Sequence, residues 1–245
     1  FSRQFGEIEL AVGGNVTKPE YRRLGVELAD VSNLAENSEI MHRSDRRALF
    51  NLGNQLWHSD SSFRAVPAKY SLLSARKIPK TGGNTEFADM RAAYDALDDE
   101  TKTEIEALIC EHSLLHSRAI LGFTDFSEAE RRTFEPVRQR LVRTHPVSGR
   151  KSLFLASHAG TIEGWLVPEA RSLLRELNEH ATQPAFVHVH AWRQHDLVMW
   201  DNRQTMHRVR RFRQTEEVRD MRRTTIMGDG PTVPQPHRAA SGQSH

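Results

Sequence analysis

The sequence predicts a mainly β protein: a jelly-roll-type barrel with flanking helices. Three observations lead there. Short β-prone runs bounded by turn chemistry occupy both halves of the chain. Helical runs fall between them as insertions rather than alternating with the strands one by one, which disfavours a βαβ plan. No glycine-rich phosphate loop follows a strand, which argues against a nucleotide-binding α/β domain.

In chain order, residues 12 to 25 mix Gly, Asn, Lys, Pro and Arg and read as a surface loop. Its Lys18, Arg22 and Arg23 make it a candidate lid. Tyr70 to Arg76 reads as a strand, followed by the turn Thr81-Gly82-Gly83-Asn84. Asp89 is placed to cap a helix running through Leu97. A second helical run from about Asp98 carries Ile105, Leu108 and Ile109 at helical spacing. Ser127 with Glu130 has capping-box form. Ser152 to Ala156 reads as a strand after the turn Pro146-Val147-Ser148-Gly149, and Leu173, Leu174 and Leu177 mark a helix after Pro168. Val187 to Trp192, Leu197 to Trp200 and Thr224 to Met227 complete the strands. One domain is expected over residues 1–230, with 231–245, rich in Pro, Ser, Gly and Ala, as a disordered tail.

Bulk properties exclude several classes. At 245 residues with 38% hydrophobic and 27% charged residues, the chain has the composition of a globular domain. A net charge of +2 gives no strong field for nucleic acid or membranes, and no apolar run reaches spanning length. Cys110 is alone, so no internal disulfide forms, and a cytoplasmic location is expected. The chain opens at Phe1 without a methionine, from which a missing N-terminal piece is expected. Assembly as a homo-oligomer is left open by the sequence.

Two distant segments carry chemistry. His58-Ser59-Asp60 places an imidazole and a carboxylate two residues apart, hence on one face of an extended chain. A later histidine, His207, follows the apolar run Leu197-Val198-Met199-Trp200 and can complete a 2-His-1-carboxylate facial set, the arrangement of non-haem Fe(II) oxygenases. With 13 histidines in the chain, chance pairs arise. A strand-end His with a surface carboxylate is the bland alternative for His58 and Asp60. His188-x-His190 and His112 with His116, the latter pair on one helix face, compete as ligand pairs. No carboxylate shares their face, and structural roles are favoured for these four.

Eight arginines lie between Arg203 and Arg223 inclusive. A solvated basic face is one reading, and a nucleic-acid surface another, though the segment lacks interleaved aromatics for stacking. Spacing decides for a third. Arg219, Met221 and Arg223 fall on one face of an extended strand, so two guanidinium groups point into one interior. Buried arginines need anionic partners. Two of them beside an iron imply two bound carboxylates, one from a cosubstrate and one from a substrate.

These residues lie within stretches that resemble the taurine/2,4-dichlorophenoxyacetate dioxygenases, Fe(II)- and 2-oxoglutarate-dependent enzymes with a double-stranded β-helix core. The likeness runs from Phe1 to about Gly230. It is strongest at Asn54 to Phe63, Gly82 to Phe87, Asp89 to Tyr94, Arg143 to Pro146 and Trp200 to Arg203. The resemblance implies His58, Asp60 and His207 as iron ligands, and Thr85 and Arg219 as holders of the distal 2-oxoglutarate carboxylate. It also implies Arg223 facing the acidic group of a small anionic substrate, with Asn54 lining that pocket. His145 is a further candidate substrate contact, with a structural role at a strand start as the alternative.

The implied reaction uses Fe(II), 2-oxoglutarate and O2, with ascorbate as assay reductant. It hydroxylates an aryloxyalkanoate such as 2,4-dichlorophenoxyacetate to a phenol and glyoxylate, with succinate and CO2 as coproducts. Two other readings stand beside it: an alkylsulfonate dioxygenase releasing sulfite from a substrate such as taurine, and a non-catalytic metal-binding β-barrel that binds polyanions.

Overall fold

The computed structural model describes residues 1–11 and 15–236. Twelve strands and six helices are found among them. The strands are β1 (Ala29–Ser32), β2 (Tyr70–Lys77), β3 (Thr85–Asp89), β4 (Ile109–His112), β5 (Val137–Arg140), β6 (Val142–Thr144), β7 (Lys151–Leu153), β8 (Ala159–Ile162), β9 (Val187–His190), β10 (Leu197–Asp201), β11 (Thr205–Val209) and β12 (Asp220–Ile226). The helices are α1 (Arg46–Asn51), α2 (Met90–Asp95), α3 (Asp99–Ile105), α4 (Leu114–Ala119), α5 (Glu128–Thr133) and α6 (Val167–Ala181).

Two antiparallel sheets form the jelly-roll core. One has the order β1-β12-β2-β10 and the other β11-β3-β9. Alternation sorts their side chains. On β11, Met206 packs in the apolar cluster under α2 and α6 with Ala88, its partner on β3. His207, one residue on, therefore turns the other way, into the space between the sheets. Leu73, Ala75, Trp192, Trp200 and Met221 fill that space, with Val31, Phe87 and Val198 packed against them. A third sheet, β5-β4-β8, and the hairpin β6-β7 extend the barrel. An aromatic cluster of Phe50, Phe123, Phe126 and Phe134 lies between α1 and the segment around α5.

Local chemistry explains the helix starts. Asp89 accepts from the amides of Arg91 and Ala92, Asp98 caps α3, and the Ser127/Glu130 capping box opens α5. The run from Asp98 ends sooner than its period suggested: α3 stops at Ile105, and Ile109 instead begins β4, hydrogen-bonded between β5 and β8. An apolar pair at helical spacing does not distinguish a helix from the strand that follows it. For the same reason His112 and His116 do not share a helix face, since His112 ends β4 and His116 lies on α4. β7 stops at Leu153 and β9 at His190, short of the expected Ala156 and Trp192, while β12 starts four residues before Thr224.

The expected disordered tail also needs correction for its first part. Thr232 bonds Gln139 and the Arg140 amide, Gln235 bonds both backbone groups of Arg138, and Val233 is 4% exposed, so residues 231–236 pack along β5. Residues 237–245 of that expectation lie outside the described residues. In the loop over 12–25, residues 12–14 also lie outside them. Arg23 is not free to reach a substrate: it is bound by Asp30, Ser32 and Asp220. No helix of the described residues is long and apolar enough to cross a membrane.

Candidate metal and carboxylate site

His58 and His207 meet through a two-way backbone bridge, each amide donating to the other's carbonyl at 3.0 and 2.8 Å. This links the segment after the 3-10 turn Leu52–Gln55 to β11 and brings the two rings to 4.2 Å between centroids. Asp60 completes the group: its Oδ1 is 3.9 Å from His58 Nε2 and its Oδ2 is 3.8 Å from His207 Nε2. Among the described residues these three form the one buried cluster able to hold a metal, with donor atoms within 4.8 Å of one another. Both His–Asp separations fall inside the ~4.2 Å that two ligands at ~2.1 Å from one ion can span.

The donor set fits a divalent metal. His58 Nδ1 lies 2.8 Å from the Leu56 carbonyl, which can only accept, so this nitrogen carries the proton and Nε2 presents its lone pair. Burial lowers the proton affinity of both imidazoles, although Asp60 opposes the effect, and both stay neutral. Burial alone would raise the Asp60 carboxyl. The Arg223 guanidinium beside it, helped by the Ser71 hydroxyl, outweighs burial and holds the carboxyl below the usual carboxylate range.

The Trp200-Asp201-Asn202-Arg203 motif explains how Asp60 is held. Asn202 Oδ1 accepts from the Asp60 amide at 3.1 Å and from Trp200 Nε1 at 3.0 Å. Its Nδ2 donates to Ser71 Oγ, which in turn donates to Asp60 Oδ2 at 2.6 Å. Asn202 and Ser71 thus orient the carboxylate. The motif signalled importance, but only the strand pairing of β10 with β2 reveals this role.

One cavity of about 340 Å³ is lined by Asn54, His58, Thr85, His207, Arg219 and Arg223, together with Val31, Leu73, Trp200 and Val209. Six of the residues expected from sequence therefore converge. Arg219 is 4% exposed, its Nε donates to the Gly83 carbonyl at 3.2 Å, and no carboxylate among the described residues pairs with it. Burial pushes its guanidinium down to about 10. The Gly82-Gly83 turn creates this seat: both glycines have left-handed φ, of 74° and 70°, and a Cβ on Gly82 would meet the Arg211 carbonyl at 2.2 Å. Thr85 Oγ1 is buried beside it, 3.0 Å from Trp192 Nε1.

A larger adjoining cavity of about 840 Å³ is also bordered by His58, Asp60 and Arg223, with Phe50, Phe63, Leu114 and Arg118 on its walls. Arg223 Nη1 is ion-paired with Asp60 Oδ1. His145 borders neither cavity. Its Nε2 contacts Asp201 Oδ2 at 3.0 Å and its Nδ1 accepts from the amides of Val147 and Ser148, so the ring fastens the β6–β7 turn. Its placement corrects the expectation of a substrate contact.

Buried neutral imidazoles set the acid stability of the metal-free chain. His112, whose ring nitrogens have no partner among the described residues, is pushed down to about 3 by burial and then by Arg143, and burial also lowers His158, His58 and His207. The unfolded chain takes up these protons below pH ~6.5 while the folded chain refuses them. Stability is therefore full above the ordinary imidazole range and falls as pH drops through it, by about 1.4 kcal/mol per pH unit for His112, with the other three acting in the same direction. Urea unfolding of metal-free protein at a series of pH values between 8 and 5 checks this. His112→Phe should remove one imidazole's share of the slope, and an unchanged slope would contradict the assignment.

Comparison with known proteins gives a consistent picture. Residues 1–225 match the family described as Taurine catabolism dioxygenase TauD, TfdA family. The alpha-ketoglutarate-dependent 2,4-dichlorophenoxyacetate dioxygenase of Burkholderia sp. (strain RASC) is 50% identical over 230 residues, 93% of this chain and 76% of that protein. The crystal structure of AAD-2 in complex with Mn(II) and N-oxalylglycine superposes with a TM-score of 0.91 at 66% identity, covering 94% of this chain and 79% of that one. A taurine dioxygenase structure from Burkholderia xenovorans reaches a TM-score of 0.70 at 26% identity, covering 96% and 74%.

Proposed function

The chain belongs to the taurine catabolism dioxygenase TauD, TfdA family, and from that premise we propose that it is an Fe(II)- and 2-oxoglutarate-dependent dioxygenase hydroxylating an aryloxyalkanoate such as 2,4-dichlorophenoxyacetate. One observation carries the reading beyond family membership. A buried guanidinium with no carboxylate partner among the described residues, Arg219, stands in the same cavity as a buried His-Asp-His group. That combination suits a ligand with a metal-chelating end and a distal carboxylate. 2-Oxoglutarate has both, as does the N-oxalylglycine bound with Mn(II) in AAD-2.

His58, Asp60 and His207 would hold the iron, which, when bound with 2-oxoglutarate and O2, supplies the oxidising power that yields succinate, CO2 and a hydroxylated substrate. Arg219 and Thr85 receive the distal carboxylate, Arg219 by charge and Thr85 by its hydroxyl. Asn202 and Ser71 fix the rotamer of Asp60, which keeps its two oxygens in constant position. Arg223, at the junction of the two cavities, binds the acidic group of the substrate, and Asn54 lines the same wall. Phe50, Phe63 and Leu114 give the larger cavity an apolar side for an aryl group. Anchored so at Arg223, the carbon between carboxylate and ether oxygen would lie on the side of the cavity bordered by His58 and Asp60. Its hydroxylation makes a hemiacetal that breaks to a phenol and glyoxylate.

The aryloxyalkanoate assignment is favoured over an alkylsulfonate because identity is 50% to the 2,4-dichlorophenoxyacetate enzyme and 26% to the taurine dioxygenase. The test measures succinate formed from 2-oxoglutarate under air with Fe(II) and ascorbate. Parallel reactions contain 2,4-dichlorophenoxyacetate, taurine or no primary substrate. Stimulation by the aryloxyacetate with equimolar phenol is the expected result. Stimulation by taurine with sulfite release would transfer the assignment to sulfonates. Tight zinc binding without turnover, and salt-dependent binding of polyanions, would favour a non-catalytic barrel.

A further inference from the structure

A second buried guanidinium, Arg118, borders the larger cavity opposite no carboxylate of its own among the described residues. Arg118 lies on α4 and is 5% exposed. Its Nη1 donates to Ser117 Oγ at 3.1 Å, while its Nε is buried without an acceptor. Its guanidinium carbon sits 4.4 Å from the centre of the Phe50 ring. It also lies against Gly53, where an added Cβ would come within 2.1 Å of that carbon. The missing side chain at Gly53 is thus what makes room for the charge.

No carboxylate among the described residues pairs with Arg118. Four acidic side chains border the cavity, and each already has another cation. Glu9 pairs with Arg64 at 3.2 Å and Asp30 with Arg23 at 2.8 Å, while Glu27 pairs with Arg3 and Asp60 with Arg223. A guanidinium removed from water with no counter-charge is costly, and stacking on one phenyl ring offsets only part of that cost. Arg219 shows the same combination of burial and missing partner in the smaller cavity.

We propose that Arg118 binds the carboxylate of the primary substrate, as a second guanidinium beside Arg223 in the larger cavity. The inference rests on the aryloxyalkanoate reading and narrows it. The substrate must present an anionic group to two arginines while its apolar body meets Phe50, Phe63 and Leu114. Neutral analogues of the same shape lose both charge contacts, so Arg118 sets the preference for acids.

Two variants of the Fe(II)- and 2-oxoglutarate-loaded enzyme test this. Arg118→Met removes the charge and keeps the length. Gly53→Ala keeps Arg118 but drives its guanidinium from its seat, at a 3-10 position whose backbone accepts alanine. KM is measured for 2,4-dichlorophenoxyacetate, inhibition for neutral 2,4-dichlorophenoxyethanol, and thermal midpoints for all three proteins. Both variants should raise KM for the acid about tenfold or more, with the affinity for the alcohol and for 2-oxoglutarate changing less than about twofold. An unchanged KM for the acid in Arg118→Met overturns the proposal, as does equal loss of acid and alcohol, which marks a packing role. If neither variant folds, Arg118 serves the fold and the proposal is rejected. A wild type inactive on every aryloxyacetate defeats the functional reading and this inference with it. An active wild type with an indifferent Arg118→Met defeats the role of Arg118 alone.

Discussion

Asp60→Ala is expected to lower 2-oxoglutarate-dependent turnover by about a thousandfold or more, because a facial set reduced to two imidazoles loses its anionic ligand and its grip on the metal. The same substitution should also destabilise the metal-free chain. Asp60 is 4% exposed, paired with Arg223 and hydrogen-bonded by Ser71 and the Asn202-held backbone. Removing one member of a buried pair strands the other, at a cost of about 3 kcal/mol, the low end of the usual range because the Arg223 side chain keeps 22% exposure. His207→Gln separates the two effects. His207 is neutral in the fold and its Nδ1 has no partner, so its loss should abolish turnover equally with a smaller change in stability. Metal titration, turnover and urea unfolding on the two variants form one experiment. Substantial turnover in either variant would remove these residues from the iron site.

How much of this was legible beforehand depends on the range of the interaction. Arg219, Met221 and Arg223 could be placed on one face because alternation is a local property, and the chain keeps it from Arg219, one residue before β12, through the irregularity in the pairing with β2 at Asp220, so that Arg219 and Arg223 line one cavity. The Gly82-Gly83 turn was readable for the same reason. β3 and β11 were not. Thr85–Asp89 and Thr205–Val209 are five residues each and mix polar and apolar side chains on both faces, and it is non-local pairing, β3 with both β11 and β9, that makes them strands.

Roles that depend on non-local partners were hidden as well. His145 could be read from sequence either as a substrate contact or as a structural residue at a strand start, and the hairpin fold decides for the second by giving it Asp201 and two turn amides. Arg118 stood in a run with no signal at all. Its seat is made by Gly53, sixty-five positions earlier in the chain, and by Phe50, which no spacing rule connects to it. Asn202 lay inside a recognisable motif, yet its bond to the Asp60 amide spans more than half the chain.

The strongest demand on the site reading falls on Arg219. In the metal-free chain its charge is buried, bonded to one carbonyl and paired with no carboxylate among the described residues, so Arg219→Met should stabilise the metal-free protein, by about 1 kcal/mol or more. In the loaded enzyme the same change should raise KM for 2-oxoglutarate about a hundredfold, because the distal carboxylate loses a charge-assisted contact worth about 3 kcal/mol in a buried setting. A residue that merely supports the fold cannot give both results, since its removal would lower stability and affect ligands only indirectly. A residue kept for ligand charge must give both, because the cost of burying the guanidinium is offset only when the anion arrives. Urea midpoints of the metal-free variant and initial rates over a 2-oxoglutarate series decide the matter. A destabilised Arg219→Met with an ordinary KM for 2-oxoglutarate would show that the buried charge serves packing, and the cosubstrate site would have to be sought elsewhere along the cavity.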